Sequence, residues 1–309
     1  MTVNFKEVSY KNYGKCLSIS NELMEVYVTI DVGPRVIKCN IIGGENLMFN
    51  DVDRNASEDV SSSFGEGAKW YIYGGHRLWI SPENMPLTYY PDNEPVKYEI
   101  EGNSVLFTPP AQKVNDVQHT LKLTMDADKP VVDVCHGIVN LSDAPMTGAA
   151  WALSVMAPEG MVICPQPDED TGLLGNRILA LWPYTKFSDP RMQLFEKYIL
   201  VTQDPEIDQK FKFGINNTKK WLAYYNHGQL FKKTYNPNHP DGNYPDFGVS
   251  TEVFTNHLFI EAETLSELVT LGKGEKLTHC ESWSVVKADE PDFCCSGCVD
   301  GYIAAHAVK

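Results

Sequence analysis

Apolar and polar residues alternate with a period of two along most of this chain. CLSIS (16–20), LMEVYVTI (23–30) and RVIKCNII (35–42) each read as a strand with one face to a core. Turn chemistry separates them at Ser20-Asn21-Glu22, Asp31-Val32-Gly33-Pro34 and Gly43-Gly44, which predicts an antiparallel meander. The same reading covers VKYEIEG, SVLFTPPAQ, VQHTLKLTMD and VVDVCHGIVN, then WLAYYNHGQLFKKTY, VSTEVFTN, HLFIEAET and HCESWSVVKA. About fifteen to eighteen strands follow from this pattern. Only FSDPRMQLFEKYILVTQD (187–204) reads as a possible helix. The polar stretch DVDRNASEDVSSSFGEGAK (51–69) is a long loop, a feature that often carries function. The expectation is an all-β chain, one large antiparallel β-sandwich over residues 1–309. Its body runs from about 15 to 286, and a cysteine-containing tail covers 287–309.

One stretch departs from ordinary strand composition: YIYGGHRLWISPENMPLTYYPDN (71–93). Gly74-Gly75 allows a bend or a close backbone approach. After it, alternation puts Leu78 and Ile80 toward a core and Arg77 and Trp79 toward a cleft or solvent. His76, the first residue after the glycines, is read as free to escape that alternation. An Arg beside a Trp suits a polar ligand with an apolar face, such as a sugar; an edge-strand Arg packed over an exposed Trp would look the same. Glu83 either binds hydroxyls or a cation, or makes hydrogen bonds within its own loop. In VVDVCHGIVN, His136 shares a face with Val132, Val134 and Ile138 and reads as a core histidine. NLSDAPMT (140–147) reads as a hairpin turn leading into the small residues around Trp151.

Charge and cysteines narrow the classes. With 41 acidic against 26 basic residues the net charge is -15, so neither nucleic acid nor an anionic membrane is an expected partner. No apolar run approaches a membrane helix, and MTVNFKEVSYKNYGK carries no export signal, so a cytoplasmic location is expected. Cys16, Cys39, Cys135, Cys164 and Cys280 then read as reduced and mostly buried. Cys294, Cys295 and Cys298 form a CCxxC cluster with one arm of zinc-ligand spacing and no second arm, so no metal is expected. Dinucleotide, P-loop, HExxH and GxSxG fingerprints are missing, and no organic cofactor is expected.

Three segments, in order, resemble the aldose 1-epimerase (galactose mutarotase-like) superfamily: GGENLMF, VNLSDAPMTGAAWALS and TNHLFIEAETLSELVTLGKGEKL. GGHRLW-x-x-PE and YPD-x-G are similar to an uncharacterised branch of the same fold. The resemblance implies a supersandwich with a sugar-binding concave face and a small-molecule carbohydrate as partner. It places Glu261, in FIEAET, at the family's catalytic base, and His76 near its first pocket histidine. Where the family has its acid histidine, this chain has Trp151. Mutarotation needs a base at the anomeric hydroxyl and an acid at the ring oxygen, roles read here onto Glu261 and His76. Glu263, two residues on, shares the Glu261 face and would raise a carboxyl pKa, unless it is simply solvated. Arg77, Trp79, Glu83, Trp151, Tyr244, Asp246 and Glu252 are the candidate binders, with Tyr244 and Asp246 on the loop NPNHPDGNYPDFG. Sugar binding without turnover, glycoside hydrolysis or lysis on a related sandwich, and a partner interface stay open beside this reading.

Overall fold

The structure, a computed structural model, describes residues 2–235 and 242–308. The alternating segments form two large antiparallel sheets stacked face to face. The first runs Asn4–Ser9, Lys15–Ser20, Met24–Thr29, Val36–Ile41, Gly75–Ser81, Met146–Met156, Ile260–Leu265, Thr251–Thr255, Phe211–Ile215, Ala180–Leu181, with Val269–Leu271 paired to one end of Met146–Met156. The second runs Met192–Leu194, Tyr198–Thr202, Met161–Pro165, Trp221–Asn226, Gln229–Tyr235, Lys276–Lys287, Val131–Asn140, Val117–Met125, Ser104–Thr108, Lys97–Glu101. The predicted N-terminal meander is present, and so is the all-β sandwich. Apolar residues of both inner faces, among them Leu17, Val26, Val134, Phe213, Phe231 and Trp283, make one buried core.

Four local expectations are corrected. NLSDAPMT does not close a hairpin within one sheet. Val131–Asn140 lies in the second sheet and Met146–Met156 in the first, so the turn is a crossover between layers. Buried Asn140 pins it by donating to the carbonyls of Ala144 and Leu271. The segment 187–204 holds the Met192–Leu194 and Tyr198–Thr202 strands rather than a helix, because Ile199 and Val201 fill the core between the sheets. A ten-residue helix, Ser296–Ala305, ends the chain where only a tail was expected, and its Val299 packs beneath the second sheet's outer face with Leu200, Ala223 and Leu230. Finally, Cys135 and Cys280 are not reduced: they face each other across neighbouring strands and form a disulfide.

The core also holds an unusual amount of polar chemistry. Lys233 and Glu281, both fully buried, pair at 3.0 Å. Glu281 further accepts from the Trp283 indole at 2.7 Å and from the Thr264 hydroxyl, which also meets His279 Nε2 at 2.8 Å. His76 belongs to this cluster. Its Nδ1 lies 2.8 Å from Ser154 Oγ, and its Nε2 lies 2.7 Å from His136 Nε2. Each partner satisfies a group whose burial would otherwise be costly. No helix among the described residues is long and apolar enough to cross a membrane.

Candidate functional site

Two glycines set the start of the Gly75–Ser81 strand. Both have positive φ, and a Cβ on Gly74 would sit 2.1 Å from the Phe49 carbonyl oxygen, one on Gly75 2.3 Å from that of Val36. The strand therefore enters the sheet by close backbone contact that only glycine permits.

From there the register decides which side chains meet. Directly paired residues of an antiparallel sheet point to the same face. His76, Ser154, Ala262, Val253 and Phe213 are in register and face the second sheet. Arg77, Leu153, Glu263 and Glu252 form the neighbouring row and point the other way. Trp79, Trp151 and Leu265 flank them on one side, and Val155, Glu261, Phe254 and Lys212 on the other. The outer face of the first sheet thus gathers Arg77, Trp79, Trp151, Glu252, Glu261 and Glu263.

His76 is not among them. It keeps the strand's alternation, is fully buried between the sheets, and turns its back on Glu261. Burial, with His136 and Lys233 nearby, holds its pKa well below the ordinary histidine value. A proton donor at a sugar on the outer face has to come from elsewhere.

Two linked groups of charges sit on that face. Arg77 Nη2 lies 3.5 Å from Glu261 Oε1, and the guanidinium stacks 4.3 Å from the Trp79 ring centre. Lys212 Nζ lies 2.7 Å from Glu252 Oε2 and 3.2 Å from Glu263 Oε2. Trp151 donates its indole N–H to the same Glu263 oxygen at 2.6 Å, while Lys212 sits 4.5 Å over the Trp151 ring and 4.7 Å over Trp182. Glu263 is therefore not solvated; it is fully buried and held by two donors.

Three carboxyls, Glu252, Glu261 and Glu263, thus share two cations, Arg77 and Lys212. Burial raises Glu261 to about 7, helped by repulsion from Glu263 and opposed by Arg77 and Lys212. Burial raises Glu252 well above the carboxylate range against the pull of Lys212, with Glu263 and Asp246 adding to the rise. Burial raises Asp246 too, against the pull of Lys212. Burial alone would lower Lys212, but Glu252 and Glu263 override it and raise the ammonium above its ordinary value. The result is a site with a carboxyl poised near neutrality beside carboxyls that burial raises in the same direction.

Aromatic side chains border these charges. Trp79 meets Trp151 edge-on at 5.3 Å and Tyr89 at 5.0 Å, and Tyr89 donates to exposed Glu83 at 2.6 Å. Glu83 is thus tied within its own loop and reaches the site through Tyr89. A cleft of about 510 Å³ opens beside Trp79, walled by Ser81, Glu83, Asn84, Asn115 and Thr147. Glu261 is not one of its walls. Toward Lys212, a smaller cavity of about 140 Å³ is lined by Trp182, Asp246 and Phe247. Asp246 sits in a turn where it and Phe247 both have positive φ, and Ser81 Oγ lies 3.5 Å from its carboxylate. Tyr244 is buried at the base of this turn. The first part of the expected rim loop, residues 236–241, lies outside the described residues.

The sequence reading missed Lys212, Tyr89, Trp182 and Tyr184. Lys212 had a signal: a lysine between Phe211 and Phe213 in a strand whose odd positions are core. Tyr184, raised by burial and within the field of Glu261 and Lys212, lies in an irregular segment that no periodicity marks.

No family model matches the chain, and no curated protein sequence does. Solved structures do resemble it. A proposed aldose 1-epimerase from Klebsiella pneumoniae superposes with a TM-score of 0.62 at 12% identity, over 98% of this chain and 86% of the other. A galactose mutarotase-like protein from Lactobacillus casei gives 0.55 at 10% identity, over 88% and 100%. A TPR-domain containing protein from Parabacteroides distasonis gives 0.61 at 13% identity, over 89% of this chain; the present chain spans about half (48%) of that protein. At these identities the likeness is one of fold: this is a galactose mutarotase-like β-sandwich.

Proposed function

We propose that the outer face of the first sheet binds a carbohydrate and interconverts its anomers by acid–base catalysis, with Glu261 as the base. The observation that carries this reading is the state of Glu261. It is a buried carboxyl raised to about 7, beside a cation and a tryptophan, on a face lined by further carboxyls. A general base works best when its pKa lies near the working pH. Aromatic rings next to carboxylates and guanidinium suit a ring with C–H faces and hydroxyl edges.

In this mechanism ionised Glu261 takes the proton of the anomeric hydroxyl. The proton for the ring oxygen comes from Asp246 and Glu252, two carboxyls that burial raises above their ordinary values, with half-buried Asp246 lining the smaller cavity beside Trp182. The C1–O5 bond opens, the C1–C2 bond turns, and the reverse transfers close the other anomer. Trp79 offers the stacking platform. Trp151, sealed by Glu263 and Lys212, holds the carboxyls in place instead of donating a proton. Arg77 keeps part of the ionised population of Glu261 by its charge.

A second reading, binding without turnover, is favoured by one observation: His76 faces away from Glu261. Exchange spectroscopy on a panel of free, acidic and phosphorylated aldoses separates the two. Faster α/β exchange of any panel member in the presence of protein supports catalysis. Saturable line broadening without faster exchange identifies a binder, and neither effect on the whole panel overturns the carbohydrate reading.

A further inference from the structure

The C-terminal thiols are brought together by a helix that the sequence reading did not expect. Cys294 Sγ and Cys295 Sγ each lie 3.3 Å from Cys298 Sγ. All three sulfurs lie within 4.8 Å of one another. Cys295 is the extended residue before the Ser296–Ala305 helix, and Cys298 is one turn in, with its amide donating to the Cys295 carbonyl at 3.1 Å. Cys294 folds back over that turn.

This arrangement is anchored. Val299 is buried, Ser296 Oγ donates to Glu196 and accepts from the Lys197 amide, and Asp300 receives Lys197 and Tyr198 at 2.9 and 2.6 Å. The helix start is thus fixed to the second sheet, and the three sulfurs converge on solvent-accessible space. Cys16, Cys39 and Cys164, the other free thiols, are buried and scattered in the core.

We propose that Cys294, Cys295 and Cys298 form a three-thiolate site for a soft d10 metal ion, monovalent copper first and zinc second. A disulfide would engage two of the sulfurs and leave the third without a role. A shared cation engages all three. At a metal–sulfur distance of about 2.3 Å, a trigonal site spaces its sulfurs about 4 Å apart, an opening of about 0.7 Å from the two contacts to Cys298. Thiolate sulfur selects soft ions, and no described His, Asp or Glu joins the cluster as a hard or borderline ligand. Three-coordinate Cu(I) needs no further ligand, whereas Zn(II) would take a water as its fourth. Binding releases the thiol protons, so uptake strengthens as pH rises. The site's exposure makes the ion exchangeable.

The test uses the full chain, reduced and kept under nitrogen. It is titrated with Cu(I) against a competing chelator and, separately, with Zn(II), reading metal per chain and sulfur-to-copper charge-transfer absorption. The expected result is one ion per chain. Partners one layer behind a metal's ligands already contribute about 10–100-fold, so each of Cys294→Ser, Cys295→Ser and Cys298→Ser should weaken binding by at least about tenfold. The triple variant should bind none while keeping the native circular dichroism; should it fail to fold, the single variants decide. Three outcomes would overturn the proposal. The triple variant could take up as much metal as the native chain. Cys294→Ser could bind as tightly as the native chain, leaving only a two-thiol site. The fully reduced chain could bind no ion and close a Cys295–Cys298 disulfide on mild oxidation.

Discussion

Replacing Glu261 by Gln should change the pH dependence of stability before any sugar is added. The Glu261 carboxyl is raised from 4.5 to about 7, with burial as the main cause and Glu263 repulsion second. A raised carboxyl pKa means the folded chain holds a proton that the unfolded chain has lost. Its contribution is fully present below pH 4.5 and is lost as pH rises through about 7. At about 1.4 kcal/mol per tenfold, the rise corresponds to about 3 kcal/mol of stability lost across that window. Gln has nearly the same shape, still accepts a hydrogen bond from Arg77, and cannot ionise. Urea unfolding of both proteins at pH 5 and pH 8 isolates this contribution, because groups common to both cancel in the difference. Native protein should lose about 2.5 kcal/mol more than Glu261→Gln between the two pH values, part of the full loss having already occurred by pH 5, and the variant should be the more stable protein at pH 8. Parallel curves would refute the reasoning, since they would mean that Glu261 ionises as freely in the fold as in the unfolded chain.

Other expectations follow from the same geometry. Trp79→Ala removes the stacking platform and should weaken sugar binding by about 1 kcal/mol, about fivefold in Kd by calorimetry, with folding intact. Lys233→Met leaves Glu281 buried without its cation and should cost about 3–5 kcal/mol in chemical denaturation, much of it recovered by adding Glu281→Met. Gly75→Ala forces a Cβ against the Val36 carbonyl and should cost about 3 kcal/mol or more. Gly43→Ala, at a similar φ but in open space, should cost only about 1 kcal/mol by the same assay.

Much of the fold was legible because alternation is a local signal. The meander over 15–41 and the division of the Gly75–Ser81 strand into an Arg77–Trp79 face and a Leu78–Ile80 face need only the period of the pleat. His76 was misplaced by setting that period aside for a residue next to two glycines. The strand keeps its phase because Ser154 and His136 bind both imidazole nitrogens on the inner side. Glu261 and Glu263 were placed on one face by the same rule, but their burial was not legible. It depends on Lys212 and Trp151 arriving from strands distant in sequence. The Cys135–Cys280 bridge, 145 residues apart, depends on two strands becoming neighbours, which no local pattern records. The C-terminal helix was missed because DFCCSGCVDGYIAAH is poor in strong helix formers at its start. Its stability comes from packing Val299 and Tyr302 against the second sheet and from the Asp300 bonds.

The central claim is that Glu261 moves a proton of a bound sugar. The most direct test is the rate of α/β interconversion, by exchange NMR or polarimetry, for native protein and Glu261→Gln between pH 5 and 9. The account predicts a native rate that rises through pH about 7 as Glu261 ionises, and a fall of about 10²–10⁴-fold in the variant at pH 8. Interconversion by the variant at the native rate would contradict it.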